Sequence, residues 1–341
     1  MNHMVNRRGF LIGAVGAAAC ARSPRLNVYN WSDYVAPDTI ANFEREFGVT
    51  VRYGTYESNQ EMLAKVISGN SGWDVIFPSA EFVRPMIEMG LLLPLRHDLL
   101  ANLGVLEVEF QHPRWDPGLG FTAPYMHGTT GIVHQKNLEL KSWADLWDGR
   151  LSGKMTMLDD PLEVFAACLK KLGDSLNTGD PGQLRAAEEQ AVAQKRLLRA
   201  YLNAEVRDQL VAGDVAVAQA WAVTAGQAIA AAPGKLAYTF PAEGFPRYAD
   251  TMAILRESSR VELAHRFIDY LLRPEVAAAI VKATQTATPN AEAHKLLPPE
   301  VRENPVLYPP AEILARGEWF EPQTASSQSL RDRLWTEIKS S

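Results

Sequence analysis

Apolar and polar positions fall into short blocks along this chain, and the blocks keep changing period. Leu26 to Asn30 has the two-residue period of a strand, with Leu26 and Val28 on one face. From Pro37 the period lengthens: Ile40, Phe43 and Phe47 share one side of a helix, and Gly48 stops it. Val49 to Tyr53 reads as a second strand. Ser58-Asn-Gln-Glu61 is a capping box, opening a helix with Met62, Leu63, Val66 and Ile67 turned inward. Asp74 to Phe77 reads as a buried strand. Ser79 is placed to cap the next helix, which carries Phe82, Met86 and Met89 and stops at Gly90. Residues 96–120 hold many turn formers and read as loop with short helical pieces; Asp116 is expected on its surface.

The pattern restarts near Pro124-Tyr125, where a crossing into a second lobe is expected. Ser142-Trp-Ala-Asp145 caps a short helix, Lys154 to Leu158 is a strand, and Asp160-Pro-Leu-Glu163 opens a helix to Leu172. A helix over 181–194, a strand over 197–202, a helix over 206–212 and a strand from Val215 to Trp221 follow. Leu236 to Phe240 is another strand, and Tyr248 to Leu255 is the return crossing. Two helices, 261–272 and one ending at Lys282, precede a proline-rich tail and a last helix around Leu330, Leu334 and Ile338. Strands alternating with helices predict a parallel-rich sheet covered on both faces.

Composition narrows the class. The chain has 341 residues, 47% hydrophobic and 22% charged, suiting a globular protein of about two domains. Lys and Arg number 34 against 40 Asp and Glu, a net charge of -6, which argues against a nucleic-acid partner. Residues 1–20 read as an export segment: Asn6-Arg7-Arg8-Gly9-Phe10-Leu11 is a twin-arginine pattern followed by an alanine-rich apolar run. Its loss would leave 32 basic residues against 40 acidic ones, or -8. Ala17-Ala-Ala-Cys20 approximates a lipoprotein box, which would leave Cys20 lipid-modified. Ala19-Cys-Ala21 also fits an A-x-A cleavage site; the lipoprotein reading is preferred. Cys168, the other cysteine, is expected to be a buried, inert thiol. No apolar run reaches the length of a membrane span.

Candidate chemistry concentrates where strands end. Trp31-Ser32-Asp33-Tyr34 links the first strand to its helix, and loops at carboxyl ends of strands are where open α/β sheets bind ligands. A tryptophan beside a carboxylate suits an ammonium ion on a carbon chain: the ring attracts the cation and covers the methylenes, and the acid takes the N–H groups. Core aromatics and a turn aspartate explain the same residues equally well. Asp160 and Glu163 complete a capping box, which accounts for them without a ligand, yet their loop also follows a strand. Trp221 ends an alternating strand among small residues. Tyr248 and Asp250, two apart on an extended segment, share a side of the chain. No G-x-S-x-G, Walker loop, H-E-x-x-H or C-x-x-C occurs, so an enzyme is not expected, nor a cofactor or metal.

Asn30-Trp-Ser-Asp-Tyr34 running into Pro37-Asp-Thr-Ile-Ala-Asn-Phe-Glu44 resembles the start of the polyamine-binding proteins of bacterial ABC importers. The resemblance returns, in order, at Thr55-Tyr-Glu-Ser-Asn59, Asp74-Val-Ile-Phe-Pro-Ser79, Pro124-Tyr-Met126 and Leu158-Asp-Asp-Pro-Leu-Glu-Val-Phe165. It continues through Asp250 and Thr288-Pro-Asn290 to Val301-Arg-Glu-Asn-Pro305 and Tyr308-Pro-Pro310. It implies an α/β, two-lobed periplasmic binding protein fold of type II, each lobe a mixed sheet flanked by helices, with the ligand cleft between the lobes. Lobe 1 would comprise 21–127 and 251–289, and lobe 2 128–250 and 290–341. It implies a monomeric periplasmic protein that hands putrescine or spermidine to a membrane permease. Asp33, Glu163 and above all Asp250 would anchor amines, with Asp160 beside them and Trp31, Ser32, Tyr34, Ser79, Trp221 and Tyr248 around the chain. Four positions depart from the family: Thr224 replaces an aspartate usual in putrescine binders, Phe320 a glutamine usual in spermidine binders, Thr286 an aromatic residue, and Glu81 a serine or tyrosine. Rival readings are a binding protein for another small cationic or polar solute, or a hydrolase.

Overall fold

A computed structural model describes residues 24–341; the stretch read as an export segment, with Arg7, Arg8 and Cys20, lies outside the described residues. The first strands form where the two-residue period placed them: β1 (Arg25–Trp31), β2 (Thr50–Tyr56) and β3 (Val75–Ile76), with β1 parallel to both neighbours. The pleat sends alternate side chains to opposite faces. Leu26, Val28 and Val75 pack with Phe43 and Val83 on one side, and Tyr29 and Ile76 with Met62 and Met86 on the other. Helices Thr39–Phe47, Asn59–Val66 and Ala80–Glu88 supply those covering residues. Gly48 ends the first helix at φ +65°, the left-handed conformation its place demands.

The second half is built alike. Strand β5 (Met155–Met157) runs parallel to β6 (Leu198–Tyr201) and β7 (Val217–Trp221), covered by helices Pro161–Leu172 and Pro181–Lys195 and by Val206–Ala212. Two long strands join the halves. β4 (Thr122–Gln135) pairs through residues 122–129 with β9 (Phe245–Ile254), and through residues 130–135 with β7 and with β8 (Leu236–Thr239). β9 also pairs antiparallel with β3. The chain is thus a mixed α/β fold whose strands order as β2-β1-β3-β9-β4-β7-β5-β6.

Several details differ from the sequence reading. Met89 is 44% exposed and lies beyond the last helical residue, Glu88. Asp116 is buried: its carboxylate accepts hydrogen bonds from the backbone N–H groups of Gly120, Phe121 and Thr122, and so holds a turn rather than facing water. Helix Ala222–Ala231 and strand β10 (Gly317–Trp319), parallel to β9, were not anticipated. Across the boundary expected at residue 290, Ala293 and Leu297 cluster with Ala277, Ala278 and Val281.

Candidate functional site

Strands β1, β2 and β3 point the same way, so the segments leaving their carboxyl ends share one rim: 31–34, 57–59 and 79–81. Strands β5, β6 and β7 do the same for 160–163, 204 and 221–227. The two rims line a common cavity of about 120 Å³, together with Tyr248 and Asp250 on β9 and with Phe320. Parallel topology thus assembles from six separate segments what no single stretch of sequence contains.

Asp250 is 4% exposed. Ser79 Oγ donates to its Oδ1 at 2.6 Å and Tyr34 OH donates to its Oδ2 at 2.6 Å. Asn59 fixes Ser79 from behind, donating to Oγ at 3.0 Å and accepting from the Ser79 N–H at 3.1 Å. Tyr125 OH donates to the Tyr34 carbonyl. Ser79 therefore does not cap its helix, as its position suggested; its hydroxyl is turned to Asp250. Burial pushes the Asp250 carboxyl up to about 6 despite both hydrogen bonds.

On the other rim, Asp160 accepts from the N–H groups of Leu162 and Glu163, as its capping role predicts. Glu163 does not complete the box. Its Oε1 accepts from Trp221 Nε1 at 2.8 Å and from Thr130 Oγ1 at 2.8 Å, and its Oε2 has no protein partner. The residue is 3% exposed, and burial, reinforced by the Asp160 charge, pushes its carboxyl up to about 8. Burial likewise pushes Glu81 up to about 8 and raises Asp160. Glu81, Glu163 and Asp160 all sit at helix starts, where the partial positive charge of free N–H groups makes buried acids tolerable.

Aromatic walls are held by their polar edges. Trp31 Nε1 donates to the Phe77 carbonyl at 2.9 Å, and its ring lies 4.7 Å from that of Tyr56. The Tyr248 ring rests on Gly128, where a Cβ would fall 2.5 Å from the phenol oxygen, so only glycine leaves room for it there.

Twelve of the thirteen expected contact residues line the cavity; Thr286 does not. It is 1% exposed, next to Ala287, which bridges to His127 behind the cleft. Asp33 lines the rim rather than the interior: its side chain is 76% exposed and stands 3.8 Å from Arg207 Nη1 of the opposite half. Glu57, Ser58, Asn59, Leu162, Ala204, Val223, Thr224 and Gln227 also line the cavity. Glu57 had a readable signal: β2 is parallel to β1 with Tyr56 beside Trp31, so the next residue must join the same rim, and Ser32 Oγ donates to its carboxylate.

Six lining residues are acids (Asp33, Glu57, Glu81, Asp160, Glu163 and Asp250) and none is Lys, Arg or His. A second cavity of about 480 Å³ beyond Phe320 is lined by Arg84, Arg114 and His112 and lacks this one-signed character. Among the described residues, no group of three or more His, Cys, Asp and Glu is placed to hold a metal ion. No helix among them is long and apolar enough to cross a membrane.

Residues 38–309 match the family described as bacterial extracellular solute-binding protein. The putrescine-binding periplasmic protein PotF of Escherichia coli is 33% identical over 97% of both chains. The spermidine/putrescine-binding periplasmic protein of Salmonella typhimurium is 32% identical over 97% of this chain and 96% of its own. The solved structure of PotD, the substrate-binding protein of a spermidine/putrescine ABC transporter from Streptococcus pneumoniae, superposes with a TM-score of 0.81 at 29% identity. The match covers 93% of this chain and 99% of that one. With the family match spanning most of the sequence and relatives similar along nearly all of it, this chain belongs to the bacterial extracellular solute-binding proteins.

Proposed function

We propose that the cavity binds a polyamine, putrescine or spermidine, and that the protein delivers it to the permease of an ABC importer in the periplasm. The observation that carries this reading is the lining of six acids and no base among aromatic walls. Buried acids cost several kcal/mol each unless protonated or paired. An alkyl chain with an ammonium at each end removes that cost at two places, while its methylenes lie against Trp31 and Trp221. The names of the relatives support the same class of ligand. Asp250 is the principal anchor on one side and Glu163 on the other, where an ammonium would satisfy the open Oε2. Closure brings the rims together, because only the closed form offers both sets of contacts. The lobes are divided within β4 and β9, and Cys20 carries the lipid that tethers a monomeric protein to the membrane.

Calorimetric titration with putrescine, spermidine and a neutral sugar tests the reading. Saturable binding of either amine with none of the sugar supports it; binding of the sugar alone refutes it. A melting shift gives a second readout, since ligand at a hundred times Kd stabilises by about 2.7 kcal/mol.

A further inference from the structure

Of the acids enclosed in this cleft, Glu81 is the one that the anchoring arrangement leaves unused; Asp33 and Glu57 are exposed at its rim. Asp250 is held by Ser79 and Tyr34, Glu163 by Thr130 and Trp221, and Asp160 by two backbone N–H groups. The Glu81 Oε2 is enclosed and has no protein partner, and no base lines the cavity to offer one. It lies two residues after Ser79, whose hydroxyl binds Asp250, and it lines the same cavity as Asp160 and Glu163 of the other rim.

Resting on the polyamine reading above, we propose that Glu81 takes a charged nitrogen in the interior of the ligand chain, so that the site prefers a triamine to a diamine. A chain with two terminal ammonium groups is served by Asp250 and Glu163, and Glu81 then stays a neutral acid. A secondary ammonium between the ends can donate to the Glu81 carboxylate, which otherwise has no partner of opposite charge. The acid thereby favours a specific nitrogen count. Glu81 is not required for the fold: it supplies no cap or ion pair, and its α-helix continues on Val83 and Met86.

The test is titration of wild type, Glu81→Gln and Glu81→Asp with putrescine and spermidine, beside the melting temperature of each ligand-free protein. Wild type should bind spermidine more tightly. Glu81→Gln should weaken spermidine about thirtyfold or more, as for a buried charge pair deprived of one partner, and putrescine by no more than about twofold. Glu81→Asp should keep spermidine ahead. Ligand-free Glu81→Gln should melt no lower than wild type, because it loses only a buried acid without a partner. An unchanged ratio of the two affinities in Glu81→Gln overturns the role of Glu81 while leaving polyamine binding standing. If wild type takes neither amine, the proposed function falls, and this inference with it.

Discussion

Trp221 Nε1 and Glu163 Oε1, 58 residues apart in sequence, lie 2.8 Å apart, donor to acceptor, at the start of two helices. The indole thereby turns the Glu163 carboxylate away from its own helix and into the cleft. Trp221→Phe keeps a ring and removes the donor. The variant should raise the Glu163 carboxyl further and weaken polyamine binding by about 1–2 kcal/mol, near tenfold in Kd. Calorimetry at fixed pH measures the loss, and equal affinity of variant and wild type would refute the coupling.

Asp250 should be the costliest single residue to neutralise. Asp250→Asn keeps the shape, leaves Ser79 and Tyr34 in place, and leaves an ammonium with a weaker partner. The expected loss is about 2–4 kcal/mol, roughly 30- to 1,000-fold in Kd. Asp214→Asn, on the exposed turn after helix Val206–Ala212, should change affinity by less than about 0.5 kcal/mol. A folded Asp250→Asn that binds like wild type would place the anchor elsewhere.

The empty cleft should make the protein less stable as pH rises. In the folded state Asp250 titrates near 6 and Glu81 and Glu163 near 8, all above their ordinary values of 3.8 and 4.5. Between the ordinary and the folded values the folded state holds more protons than the unfolded chain, so stability from these groups is lost as pH rises. The ligand-free melting temperature should fall from about pH 5 to about pH 8. Amine affinity runs the other way, because an ammonium competes with those protons. It should rise about tenfold per pH unit for each proton released. Melting curves with and without spermidine across this window check both signs.

Asp116→Asn tests a structural acid instead. Its carboxylate ties three consecutive N–H groups of the segment entering β4. Replacing the charge should lower stability by about 1–3 kcal/mol in urea unfolding, with the putrescine-to-spermidine preference unchanged. A shift in that preference would mean that the turn reaches the cleft.

Most elements were legible because their residues carry a period. Leu26 and Val28 mark β1, and Ile40, Phe43 and Phe47 mark the helix behind it. Helix Ala222–Ala231 was hidden because it is buried on several sides: Ala222, Thr224, Ala225, Gly226 and Ala228 leave no polar face to set a stripe against. Strand β10, at three residues, is too short to show alternation. In the cleft, the aromatic and acidic residues next to strand ends were readable, whereas Gln227 and Ala204 join it only through tertiary packing. Glu163 and Ser79 show the opposite failure: local capping rules explained them fully, and long-range partners claimed both side chains.

Asp250 lies opposite Met126 on the two strands that run through both halves, where the β4–β9 register slips by a residue. An opening of the lobes bends the chain at such a slip, and displacement grows with distance from the bend. A hinge at this slip would leave Asp250 with Ser79 and Tyr34, to which it is bonded, while Trp221 and Glu163 on the opposite rim swing away. On the polyamine reading the first amine would dock on Asp250 and the rest of the chain would be wrapped afterwards, so loss of Asp250 should slow capture, whereas loss of Trp221 should hasten escape.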